Sequence, residues 1–350
     1  MILIQVFSFF RRKKGNTTAN FVQFKTMATI ITYPSALEYW LSETGIPYHF
    51  HFDRYSSGIN NKEVMHSTSS RKEILRSIDC LNFSSPVHVA VSSPIRRTST
   101  QKVVFHKLPS QLPEHSFYKI SNELYIASPE YCFLQAAVSL SIPELTLLAN
   151  ELCSIYIKDD LAEYGQRRRD PVTTTDSIRK YLYKAENRRG LRKARTAIQY
   201  ALDRSNSPME SRLAVLAALP LSRGGYGLIK PELNLEVKLP KDAAEYMKCL
   251  SLFCDMVWKK QKVILEYDSL LAHLNIQQHF RDKKRATALN LAGYKVISVT
   301  AEQLRNFGSV EQLFLDLRSV LNMRTYKNRM DAYLDLRWKV VHEILLQRPY

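Results

Sequence analysis

Glycine is scarce in this chain, with ten among 350 residues. That argues against a phosphate-binding architecture built on clustered glycines, which let backbone N–H groups close on a nucleotide. Cysteine is sparse as well. Five occur, at 80, 132, 153, 249 and 254, an odd number with no CxxC pair. Neither a disulfide framework nor a zinc ribbon is indicated, and the reading is buried, reduced thiols in a cytoplasmic protein. Long apolar runs are also missing. The opening "MILIQVFSFFRRKKGN" carries its charges after its apolar stretch, the reverse of a secretory leader, and a spanning helix needs roughly twenty apolar residues. No membrane association is expected. "MATIITYPSALEYW" from Met27 reads as the start of the folded chain, with residues 1–26 a disordered or spurious extension. Internal repeats and long low-complexity tracts are absent.

What the chain has in excess is positive charge. Lys and Arg number 50 against 33 Asp and Glu, a net charge of +17 and a pI of about 9.6. That exceeds what solubility requires and points to a polyanionic partner. Residues 27–157 read as a mixed α+β domain. It has a short helix over 33–42, a polar loop over 55–72 and a strand at 86–92. A basic Arg96-Arg97 turn leads into a second strand, read as a hairpin or short sheet. A strand at 123–128 follows, then two helices opened by Ser128-Pro129 and by Ser141. His88 falls within the strand alternation and reads as structural or solvent-facing.

Residues 158–206 are dense in cations and read as a basic helical linker. Arg167, Arg168 and Arg169 form one cluster; Arg188, Arg189, Arg192 and Lys193 form another, interleaved with tyrosines. Such a segment suits a phosphate backbone, and equally a solvated helix face. From Ser207 the order reads α-β-β-β-α-β-α over 207–323, with a further helix in 324–350. Ser207, Pro208 and Glu210 mark a capped helix start. Strands follow at 232–239, up to Trp258, at 262–268 and at 294–300, with an amphipathic helix over 275–293. Phe280, Ala288, Leu289 and Leu291 are its candidate core residues.

"CDMVWKKQKVILEYDS" sets Asp255 in one apolar run and Glu266 and Asp268 at the end of another. Side chains repeat every two residues along a strand, so Glu266 and Asp268 share a face. In an antiparallel hairpin Asp255 can lie across from them. Clustered carboxylates repel, and a hard divalent cation with oxygen ligands relieves that repulsion. Glu210 is a candidate fourth acid, although helix capping alone accounts for it. A strand-edge acid at Asp255 and a turn at Glu266 to Ser269 are the plainer alternatives.

These residues resemble the PD-(D/E)XK nuclease superfamily, in the branch related to the very-short-patch-repair endonuclease. The resemblance spans about 207–322 and rests on "CDMVW", "VILEYDS", His273, "RDKKRATAL" and "LAGYKVISVTAEQL". It implies a restriction-endonuclease-like αβββαβ core that hydrolyses DNA, with Mg²⁺ or Mn²⁺ held by Asp255, Glu266 and Asp268. His273 would activate water, and Lys284 and Arg285 would neutralise phosphate. Asp282, three residues before Arg285, offers that arginine a plainer surface partner. The superfamily's lysine two residues after the second acid is replaced by Asp268, and Ser269 stands for the usual glycine, which leaves the general base open. The N-terminal region weakly resembles abortive-infection antitoxin-type proteins, a DNA-binding class of bacterial defence. DNA, no small-molecule cofactor and optionally a homodimer are the expected partners. A non-catalytic DNA-binding regulator with a degenerate nuclease fold is the rival, and an RNA- or ribosome-contacting module a third.

Overall fold

In a computed structural model the described residues are 29–42, 83–91, 101–109, 111–120, 124–159, 162, 165–268, 276–324 and 331–346. The expected extension over 1–26, the loop over 55–72, the Arg96-Arg97 turn and His273 lie outside them. So does the side chain of Phe280.

The class is mixed: helices pack on two sheets that each combine parallel and antiparallel pairs. The first sheet contains β1 (Thr29–Ile31), β2 (Val87–Val91), β3 (Val103–Lys107), β4 (Phe117–Lys119) and β5 (Leu124–Ala127), ordered β3-β2-β1-β5-β4. Val87, Val89 and Val91 are buried in β2, as the alternation demands. Their strand pairs with β3 in parallel, Val87 with Val103 through Val91 with Lys107. That corrects the expected hairpin, because parallel neighbours require a crossover and not a tight turn. His88 is satisfied within the sheet: its Nδ1 lies 2.7 Å from Nε2 of His106.

Helices α1 (Ser35–Leu41), α2 (Pro129–Ala136) and α3 (Ile142–Leu152) cover this sheet. The Ser128 hydroxyl accepts from the Tyr131 N–H at 3.2 Å. Ser141 and Glu144 form a reciprocal capping box, so both starts follow from sequence.

The stretch read as a linker is part of this core. After β6 (Tyr156–Lys158) and β7 (Gln166–Arg168) come α4 (Thr175–Lys184) and α5 (Leu191–Ala197). Ile178, Tyr181 and Leu182 of α4, with Ala194 and Ala197 of α5, are buried in the first hydrophobic cluster. The cations dominate the composition of the segment. Ile178, Tyr181 and Leu182 nonetheless keep the three- and four-residue spacing of an inward stripe.

The second sheet follows α6 (Pro208–Ala218). It has the order β11-β10-β9-β8, from β8 (Glu232–Lys238), β9 (Ser251–Trp258), β10 (Val263–Asp268) and β11 (Lys295–Thr300). β8, β9 and β10 are antiparallel neighbours, and β11 joins β10 in parallel. A short helix, α7 (Lys241–Met247), sits between β8 and β9 and was not expected. Helix α8 (Ile276–Leu291) buries Ala288 and Leu289, whereas Leu291 is 58% exposed, against its expected core role. Helix α9 (Phe307–Val320) and α10 (Leu334–Val341) close the second core. Val340, Val341 and Ile344 are buried there, so the C-terminal helix is part of the core. Arg337 is 1% exposed and donates to both carboxylate oxygens of Glu311, at 2.8 and 3.1 Å.

The two cores meet along α3. Asn150 donates to the Ser211 carbonyl at 3.1 Å and accepts from the Leu202 N–H at 2.8 Å. Among the described residues no helix is long and apolar enough to cross a membrane.

Candidate active site

The β9–β10 hairpin is regular from its turn as far as Leu265, which pairs with Met256. Continued register would pair Glu266 with Asp255. Instead the ladder stops, and the Asp255 side chain replaces the backbone: its Oδ2 accepts from the Tyr267 N–H at 2.8 Å. On the other edge of β9, the residue that would face Asp255 is Asn234. It has φ +45° and drops out of the β8–β9 ladder, which resumes on both sides of it. Alternation also breaks here. Cys254 and Val257, of opposite parity, fall in the same apolar cluster with Ile264 and Leu289. The sheet is thus locally irregular at Asp255, a device that re-aims a side chain. Asparagine in a strand, in "ELNLEVKL", is the one sequence signal that could have revealed it, since Asn tolerates left-handed backbone.

Three acids come into electrostatic range at this irregularity. Burial pushes the Asp255 carboxyl well above the ordinary carboxylate range, and the charges of Glu210 and Glu266 push it further. The Tyr267 N–H and Arg285 oppose them. Asp255 keeps some exposed surface, but protein atoms surround the carboxyl closely enough that its charged form is disfavoured. Glu210 is 4% exposed. Its Oε2 accepts from the Asn206 N–H at 2.8 Å, and its own N–H donates to the Ser207 hydroxyl at 3.2 Å. Burial, with a contribution from Glu266 and despite those hydrogen bonds, raises it to about 7. It therefore serves both the helix start and the cluster.

Arg285 reaches in from α8. Its Nη2 donates to Glu266 Oε1 at 3.0 Å and to the Phe253 carbonyl, and lies 3.8 Å from Cys254 Sγ. Burial alone would lower its pKa; the charge of Glu266 outweighs that, and the net shift is upward. The expected partner Asp282 is replaced by Glu266, because β10 presents its carboxylate directly beneath this turn of α8. Asp268 stands two residues beyond Glu266 on the same face, opposite Thr300 of β11. Lys284 lies with its Nζ 5.4 Å above the Tyr246 ring of α7. The backbone contributors, Tyr267 N–H and Phe253 carbonyl, carry no mark in the sequence.

The carboxylates offer oxygen donors only, which suits a hard divalent ion such as Mg²⁺ or Mn²⁺. Among the described residues no three His, Cys, Asp or Glu side chains are already closed into an ion-holding group. Arg285 supplies the positive charge beside Glu266. The donor chemistry fits; the arrangement is an open one.

The other basic candidates divide. Arg169 turns inward, donating to the carbonyls of Trp40 at 2.6 Å and Glu151 at 3.2 Å. Burial lowers its pKa to about 10. That removes it from any phosphate-facing set. Arg167 pairs with Asp159, and Arg168 is exposed on β7. Arg188 is half-buried, Arg189 and Arg192 are exposed, and Lys193 donates to the Leu140 carbonyl at 2.7 Å.

Comparison with known proteins adds no assignment. No family model, no curated protein and no solved structure matches the chain.

Proposed function

We propose that the chain is a metal-dependent DNA endonuclease, with a restriction-endonuclease-like C-terminal unit that hydrolyses phosphodiester bonds. The N-terminal region positions the nucleic acid. The observation that carries this reading is the break in strand pairing at Asp255, where Asp255 and Glu266 come within electrostatic reach of each other and of Glu210 at the start of α6. Burying like charges without relief is costly, and proteins keep such clusters where a charge is to be supplied. The order α6-β8-β9-β10-α8-β11, apart from the inserted α7, is consistent with the resemblance read in "CDMVW" and "VILEYDS".

Asp255 and Glu266 would hold Mg²⁺ or Mn²⁺, with Glu210 and Asp268 completing the oxygen set. The bound ion supplies Lewis acidity at the scissile phosphate. Asp255 is oriented for that role by the Tyr267 N–H, which fixes one carboxylate oxygen and leaves the other to a ligand. Arg285 neutralises Glu266; with a cation held by the acids it would face the phosphate. Lys284, on the neighbouring face of α8 over Tyr246, would add positive charge for the flanking backbone.

Incubation of supercoiled plasmid with the purified chain in Mg²⁺ or Mn²⁺ tests this. Nicking is expected, and Asp255→Asn and Glu266→Gln should each reduce it on the order of a hundredfold or more. Absence of nicking in both metals, with the protein folded and DNA-bound, would sink the proposal. The rival, a non-catalytic DNA-binding protein on the same framework, draws on one specific observation: Glu266 already has a cationic partner in Arg285. It predicts binding that divalent metal leaves unchanged.

A further inference from the structure

Away from the carboxylates lies a second cationic feature, built from both cores. A surface groove of about 490 Å³ has Ile142 and Leu191 in its lining. Arg188, Arg192 and Lys193 come from the first core and Arg223 from the second. No acidic side chain lines it. The nearest acid of α3, Glu144, is turned back into its capping box with Ser141. Lys193 is committed to the Leu140 carbonyl. Among the described residues, Arg188, Arg192 and Arg223 have no carboxylate partner.

Tightly packed glycines neighbour the arginines of both cores. Gly190, at φ +83°, would place a Cβ 2.9 Å from the Ala137 carbonyl carbon. Gly224, at φ +79°, would place one 2.5 Å from Val340 Cγ2 and 3.0 Å from the Leu336 carbonyl. Arg188 and Arg192 flank the first glycine, and Arg223 precedes the second. The backbone that carries the three arginines is therefore held in place on either side of the groove: Arg188 ahead of Gly190, Arg192 in the first turn of α5, and Arg223 just before Gly224. Three uncompensated guanidinium groups around one concavity suit phosphates spaced along a strand, since each offers a planar fork to phosphate oxygens.

We infer that this groove is a metal-independent anchor for the phosphodiester backbone of a nucleic acid, gripped by Arg188, Arg192 and Arg223. The choice of nucleic acid as occupant rests on the function proposed above and on the net charge of +17. Glu210 opens α6 and Arg223 follows its far end. A helix rises 1.5 Å per residue, so the groove and the carboxylates stand roughly 12 Å or more apart along that axis. The anchor would hold the flank of the strand whose phosphate meets the acids.

The test is fluorescence anisotropy of a labelled 20-base-pair duplex with the full chain in EDTA, across a KCl series. Each phosphate contact contributes about 0.9 to the slope of log affinity against log salt. The triple variant Arg188→Gln, Arg192→Gln, Arg223→Gln should bind about tenfold more weakly at moderate salt, with a slope shallower by roughly 3. Arg192→Lys, which keeps the charge, should retain the slope. A triple variant that melts like the parent and binds with an unchanged slope overturns the anchor. So does a parent chain that fails to bind duplex in EDTA. Plasmid nicking in Mg²⁺, read in parallel, separates the two proposals. Intact binding without nicking removes the nuclease reading and leaves the anchor standing. Nicking with an unaltered triple-variant slope does the reverse.

Discussion

Glu210 is the residue in which two roles conflict. It completes the start of α6, yet burial and Glu266 hold its pKa at about 7. An acid whose folded pKa is raised keeps its proton longer in the folded state. Stability is then full below the ordinary value near 4.5 and falls as pH rises toward 7, after which the penalty is constant. For Glu210 that penalty is roughly 3 kcal/mol. Glu210→Gln keeps the acceptor for Asn206 and removes the charge. It should raise the melting temperature at pH 8 in EDTA and change it little at pH 4, as thermal unfolding at the two pH values would read. An equal effect at both would show that Glu210 is not strained by its charge. The acids themselves were legible in the sequence, as carboxylates out of place in apolar strands. Their partners were not. Nothing in "RDKKRATAL" says that Arg285 bonds to Glu266 rather than to Asp282. Nor does the cluster Arg167 to Arg169 reveal that Arg169 serves the Trp40 carbonyl. Charge type is local information, whereas direction depends on the tertiary neighbours.

Helix starts and most strands were legible, because caps and alternation are local physics: Ser128, Ser141 and Ser207 each cap a helix as their neighbours suggest. Two features were not. Parallel pairing of β2 with β3 is a choice of tertiary partner that strand alternation does not encode, and α7 is too short to impose a period. The segment "SRGGYGLIKP" does more than connect α6 to β8. It folds back on the C-terminal end of α6, where Tyr226, Gly227 and Leu228 donate to the carbonyls of Leu216, Leu219 and Ala217. These satisfy groups a helix end otherwise leaves bare. Gly225 makes the approach possible, since a Cβ there would sit 2.2 Å from the Leu219 carbonyl oxygen. Backbone on both sides cannot yield, so Gly225→Ala should cost about 3 kcal/mol or more in urea unfolding. A loss below about 1 kcal/mol would show that the turn can open without harm.

For the whole molecule, the order of helix and strand signals indicated a mixed α and β protein, but it divided the chain too finely. The cationic stretch over 158–206 and the helix beyond 324 both enter cores, because a few well-spaced apolar residues outweigh many surface charges in deciding where a segment packs. Asn150 ties the cores at a position that no pattern singles out. The strand pairings also predict an order in time. Leu265 finds Met256 across a tight turn, while Thr29 must find Leu124, and Ile30 must find Ala90, across long stretches of chain. Loop closure is entropically cheaper for the near pair, and sheets rich in distant contacts assemble slowly. Pulsed hydrogen exchange during refolding should protect the amide of Leu265 before that of Ile30; the opposite order would refute the sequence of events. The acids of the hairpin would then be gathered early, while the first sheet is still open, and a divalent cation present during refolding would meet them before the rest of the protein exists.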